Sequence, residues 1–173
     1  MVKPVGVVVG NPKPNSRTRA VAEAVAEAAA RATGLTGSER VAVDLAEFAP
    51  LLFDWSSVRV RALVDAICGC SLVVVASPTF KASYTGLLKA FLDWFSSTDL
   101  QNVTAVPVMV GAGLHHALAV EVHLRPVLVE LGATLPTRGL YVTEAELDQV
   151  DDVIGRWLEG AAPALRAAVH AGS

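Results

Sequence analysis

Five short apolar runs punctuate the chain, and the stretches between them carry apolar residues at helical spacing. "VGVVVG", Val5–Gly10, predicts a first strand. Thr18–Ala32 follows with Val21, Val25, Ala28 and Ala29 on one stripe, the pattern of an amphipathic helix. "RVAVDL", Arg40–Leu45, predicts strand two, and a loop over 46–58 leads to a short helix at Arg59–Cys68. "SLVVVA", Ser71–Ala76, predicts strand three, broken by Ser77-Pro78, and helix three then covers Tyr84–Phe95. Val103–Ala112 and His116–Leu131 read as strand four and helix four. Strand five lies within Ala133–Glu144, and helix five covers Glu146–Val169. No repeat, linker or low-complexity tract interrupts the alternation.

Regular strand–helix alternation implies a parallel sheet with right-handed crossovers and helices on both faces, a three-layer α/β sandwich. Five strands fit the flavodoxin-like order 2-1-3-4-5. Such sheets bind ligands at the carboxyl ends of the strands, near the switch between strands one and three. That selects the loops after Gly10 and after Ala76. A length of 173 residues suits one domain over 1–173.

Composition sharpens this picture in three places. The hydrophobic fraction is 53% and the mean hydropathy +0.47. Yet the longest apolar runs fall far short of the ~20 residues a spanning helix needs. The excess therefore points to a sheet buried on both faces and to a subunit contact. The opening "MVKPVGVVVG" reads as a buried strand rather than a signal peptide, so a cytoplasmic protein is expected. Net charge is −3 with no basic patch, which argues against nucleic-acid binding. Cys68 and Cys70 form neither a disulfide framework nor a zinc set, and read as small apolar residues where a helix meets a strand.

The loop after strand one, "GNPKPNSRTRA", holds short polar groups at Asn11, Ser16 and Thr18 and cations at Lys13, Arg17 and Arg19. Helix one begins there, so free backbone N–H groups, hydroxyls and positive charge converge as they do in phosphate sites. The plain alternative is a capped helix beside a solvated basic loop, since Ser and Thr are good caps. The loop lacks the Gly-Lys-Ser/Thr of a P-loop and the Gly-x-Gly-x-x-Gly of a dinucleotide turn. It has no Cys for a tyrosine phosphatase, and the strand ends lack the acidic residues of a phospho-receiver. A nucleophile elbow, Gly-x-Ser-x-Gly, is absent too. The fold's remaining common ligand is flavin mononucleotide, which wants one phosphate loop and one loop along its ring edge. In the second loop, Pro78 turns the chain, Thr79, Phe80 and Lys81 can present donors to the ring edge, and Gly86 permits close approach.

"GNPKPNSRT", "SPTFKASYTGLLKAFLDW" and "HALAVEVHLRPVLVELGA" together resemble the NADPH-dependent FMN reductases, most closely those of alkanesulfonate systems. The likeness runs over roughly residues 5–145 in the same order. It implies cofactor contacts from Asn11, Lys13, Ser16, Arg17 and Thr18 in the first loop, and from Pro78, Thr79, Phe80, Lys81, Tyr84 and Gly86 in the second. It adds Gly111, Ala112, Gly113 and His115 after strand four, where the family's Thr-Gly-Gly-Thr is replaced by Val110-Gly111-Ala112-Gly113. Asn11 and Lys13 stand for the usual Ser and Arg, and Phe80 for Tyr.

The resemblance further implies transfer of reducing equivalents from NADPH to FMN, with reduced FMN passed to a partner monooxygenase. No protein residue is expected to react, because the chemistry belongs to nicotinamide and flavin. Arg17 and Arg19 are candidates for the extra phosphate of NADPH. The alternatives are an FMN-bound quinone, azo or chromate reductase and a flavodoxin-like electron carrier, the latter disfavoured by the basic first loop. A homodimer or homotetramer is expected, built on Leu87, Phe91, Trp94 and Phe95 of helix three as an exposed apolar stripe. Pro126 in helix four makes a π-bulge there plausible, with Val122 and His123 in place of the aromatic residue some relatives have.

Overall fold

The computed structural model describes residues 3–172. Its sheet contains β1 (Val5–Val9), β2 (Arg40–Asp44), β3 (Leu72–Pro78), β4 (Thr104–Gly111) and β5 (Leu140–Thr143). The strands are all parallel and run in the order β2-β1-β3-β4-β5, the flavodoxin-like arrangement. The helices are α1 (Arg17–Thr33), α2 (Val58–Cys68), α3 (Gly86–Leu92), α4 (Arg125–Glu130) and α5 (Val150–Ala171).

Strand side chains alternate between two cores, as a period of two requires. Val5, Val7 and Val9, with Leu72, Val74 and Ala76, pack with α1 and α5. Val8, Val73, Val75 and Met109 face the opposite core, with Val60, Val64, Leu88 and Phe91 from α2 and α3. Because both faces are covered, the strands read as nearly unbroken apolar runs. Cys70 is a small core residue here: its Sγ lies 3.4 Å from the Ala66 carbonyl, and burial pushes its thiol up to about 12.

Two elements, strand three and helix three, differ from the sequence expectation. Strand three does not stop at Ala76: Ser77 and Pro78 stay in register with Met109 and Val110 of β4. Thr79 then donates its N–H to the Val110 carbonyl at 2.7 Å, so the strand end is pinned beside β4.

Helix three is short. After Asp93 the chain tightens, with Trp94 and Phe95 donating to the carbonyls three residues back. The apolar stripe on this helix is not an exposed patch. Phe91, Trp94 and Phe95 are buried within one chain, and Leu87 packs partly buried beside them. Trp94 donates Nε1–H to the Leu52 carbonyl at 2.9 Å, its ring lies 5.0 Å from that of Trp55, and the Arg61 guanidinium sits 5.2 Å above it. The loop between β2 and α2 thus covers the surface that the sequence pattern leaves free.

Helix four is preceded by a π-helical turn, Val120–Leu124, which places Pro126 in the first turn of α4, where its missing N–H costs little. Arg125 secures this junction by donating to the Thr137 and Leu135 carbonyls at 2.6 Å each.

Candidate functional site

β1, β3 and β4 end side by side, and the loops that leave them frame a cavity of about 390 Å³. Its wall on one side is Asn11, Lys13, Asn15, Ser16, Arg17 and Thr18. Opposite lie Pro78, Thr79, Phe80, Val110, Gly111 and Ala112, with Glu144 from the end of β5.

The first loop is shaped by its own side chains. Asn11 Oδ1 accepts the Lys13 N–H at 2.9 Å, an Asx turn, while its Nδ2 donates to Thr18 Oγ1 at 3.0 Å. Asn15 takes a positive φ of 50°, which asparagine tolerates. Its N–H donates to the buried Asp44 carboxylate at 3.3 Å. Ser16 caps α1 by accepting the Arg19 N–H at 3.2 Å. Ala20 N–H is taken by the Ser16 carbonyl, whereas the N–H groups of Arg17 and Thr18 have no chain partner among the described residues. No acidic residue of α1 lies in its first turn. The Ser16 and Thr18 hydroxyl oxygens accept, so both of their protons are available to an anion.

The second loop is fastened to the first. Thr85 caps α3 by accepting the Leu88 N–H at 3.1 Å and donates its own proton to the Gly10 carbonyl at 2.5 Å. Gly10 needs to be glycine, since a Cβ there would lie 2.5 Å from Leu88 Cβ. Between the two ends, Phe80 and Ser83 exchange backbone hydrogen bonds across a tight turn. Lys81 (φ 50°) and Ala82 (φ 68°) form its apex, the geometry of a type I′ turn.

Thr79 is on the cavity wall, and its Oγ1 is buried with no hydrogen-bond partner among the described residues. A Cβ on Gly111 would collide with the Tyr141 hydroxyl, which donates instead to the Gly113 carbonyl at 3.0 Å. Cations and hydroxyls at one end and an unsatisfied donor beside a bare backbone at the other suit a flat, polar-edged group carrying a phosphate. The residues present therefore fit FMN.

Several residues expected at the site are not on the cavity wall. Lys81 occupies the apex of the turn, and Tyr84 packs partly buried against the core. A Cβ on Gly86 would meet nothing within 4 Å. Gly113 lies beyond the wall, and His115 packs against His116 with ring centroids 4.1 Å apart and the rings tilted by 55°. Arg19 is engaged by Glu23 at 2.8 Å and Asp44 at 3.4 Å, and the Glu23 hydrogen bond, ahead of those charges, raises its already high pKa. Asn15 and Glu144 join the wall without any expectation from the sequence, and Val110 joins it as the first residue of the stretch that stands for the family's Thr-Gly-Gly-Thr. Asparagine in a polar loop signals a left-handed position for Asn15; nothing local signals Glu144.

Residues 4–147 match the family described as NADPH-dependent FMN reductase. The chain belongs to that family. Among curated relatives, the FMN reductase (NADPH) of Escherichia coli strain K12 is 30% identical over 60% of this chain and 56% of its own. The NADH-dependent FMN reductase SfnF of Pseudomonas putida is 33% identical over 56% of this chain and 52% of its own. The chain thus spans about half the length of the curated relatives it matches. Among solved structures, an NADH:FMN oxidoreductase (EMOB) in its apo form superposes with a TM-score of 0.80 at 28% identity. That superposition covers 99% of this chain and 91% of the other.

Proposed function

We propose that this protein is an NAD(P)H-dependent FMN reductase that releases reduced FMN to a partner monooxygenase. One observation carries the reading: the N-terminus of α1, with the Ser16 and Thr18 protons free, opens into the same cavity as Thr79 and Gly111. Family membership and the oxidoreductase-like fold support it.

On this reading Ser16, Thr18, Lys13, Arg17 and the first N–H groups of α1 hold the flavin phosphate. Thr79 Oγ1 and the backbone of residues 79–80 and 111–112 hold the polar ring edge. Phe80, half exposed at the rim, flanks the open side where nicotinamide enters. FMN supplies the two-electron acceptor when bound. The chain supplies alignment, a partly dry wall and N–H dipoles that favour negative charge on the ring edge. Lys81, Tyr84, Gly86, Gly113 and His115 belong to the surrounding shell and act, on this reading, through loop placement. The cytoplasm, where NAD(P)H is regenerated, is the compartment such a reaction needs.

Replacing Ser16 and Thr18 with Ala tests the assignment. FMN binding should weaken at least about tenfold, the loss of one or two charge-assisted hydrogen bonds, while riboflavin binding should hardly change. Equal weakening of both flavins would remove the phosphate from this loop. The second reading, a quinone-type reductase that retains its flavin, is separated by dialysis. A colourless protein that needs added FMN supports exchange, and a stoichiometric yellow one supports retention.

A further inference from the structure

The charged side chains on the cavity wall are Lys13, Arg17 and Glu144. The two cations are explained by a phosphate, and the carboxylate is not. Glu144 is the first residue after β5, and its Oε1 accepts from Arg17 Nη2 at 3.1 Å. It is not needed to shape its own turn, because Thr143 and Glu146 already form a capping box there. Nor does the ion pair hold the fold, since the Arg17 side chain is 67% exposed and that of Glu144 49%, and such pairs contribute little.

We propose that Glu144 is a specificity-determining competitor: it occupies the Arg17 guanidinium and places a negative charge where a phosphomonoester must bind. This rests on the phosphate reading of the first loop. The dianion gains Arg17 only by taking it from Glu144, and binds beside a like charge that it does not neutralise. The net charge of the wall is therefore held at one positive unit instead of two. Affinity for the phosphorylated flavin is capped and its release is fast, as befits a ligand handed on after each turnover. Neutral flavin, which does not use Arg17, is indifferent to the pair.

The test is an equilibrium titration of flavin fluorescence with FMN and with riboflavin. It uses the wild type, Glu144→Gln, Arg17→Gln/Glu144→Gln, and Ser16→Ala/Thr18→Ala, each checked by its melting transition to be folded at the assay temperature. Glu144→Gln should tighten FMN about 3- to 10-fold at about 20 mM salt, and less at about 300 mM, where exposed charges are screened. Riboflavin should stay within about twofold, because it carries no charge to be repelled. Adding Arg17→Gln should abolish the gain, since the two residues act as a pair. Unchanged or weaker FMN binding by Glu144→Gln, or equal tightening of riboflavin, overturns the proposal while leaving the phosphate loop intact. Should Ser16→Ala/Thr18→Ala weaken both flavins alike, the phosphate reading falls and takes this inference with it.

Discussion

At the scale of single residues, one oxygen serves two ends of the site. Ser16 Oγ accepts the Arg19 N–H and so caps α1, while its proton stays free for an anion. Ser16→Ala therefore costs about 1 kcal/mol of stability through the lost cap, and the FMN-selective loss is read on top of that. Glu146 offers a cleaner stability test. Its carboxylate accepts the Thr143 N–H at 2.9 Å and the Thr143 hydroxyl at 2.7 Å. The backbone bond, followed by the hydroxyl, holds its pKa below the usual carboxylate range. A depressed folded-state pKa gives stability that is present above the unfolded value and is lost as pH falls through the folded one. Glu146→Gln should thus lower stability at pH 7 by about 1 kcal/mol, roughly 2–4 °C in Tm. The gap should close in acid below the ordinary glutamate range. A gap that stays constant down to pH 3 would show that the charge does not matter.

At the scale of elements, the turn after β3 carries strain. Ala82 sits at φ 68° without being glycine, which costs about 1 kcal/mol. Ala82→Gly should raise Tm by about 1–3 °C, the relief being partly offset by the freer unfolded chain. A lower Tm would mean that the Ala82 side chain makes a contact that outweighs the strain. The strands and α1 were legible in the sequence because a doubly covered parallel sheet makes each strand a continuous apolar run. The first loop was legible because hydroxyls and cations cluster at a helix start. The burial of Trp94 was not. Its cover comes from Leu52 and Trp55, in a segment with no periodicity and 39 or more positions away in sequence. Glu144, Asp44 and Tyr141 reach the site from the end of β5, the end of β2 and the body of β5, so only the strand order brings them there. The π-turn was foreseen from Pro126 and from the family resemblance, not from the pattern, because a change of hydrogen-bond register leaves no mark on hydrophobic periodicity.

At the scale of the whole molecule, part of the apolar surface left over lies on the segment that covers α3, at Phe53, Trp55 and Val58, and part lies away from α3. Leu114, Leu118, Val122 and Val129 stand exposed along the segment that contains the π-turn and α4. We infer that a homo-oligomer, if formed as in the family likeness, uses this ridge. Light scattering at micromolar protein should then give at least twice 18.1 kDa, and Leu118→Glu/Val122→Glu should return the mass to one chain. An 18.1 kDa wild type would leave the ridge without that role. The central claim concerns flavin and nicotinamide. It is tested most directly by steady-state oxidation of NADPH, and of NADH, by the purified protein as FMN is added. The account predicts oxidation that depends on added FMN and saturates, with the KM for FMN raised about tenfold or more in Ser16→Ala/Thr18→Ala. Wild-type protein that oxidises neither nucleotide faster in the presence of FMN than without enzyme would contradict it.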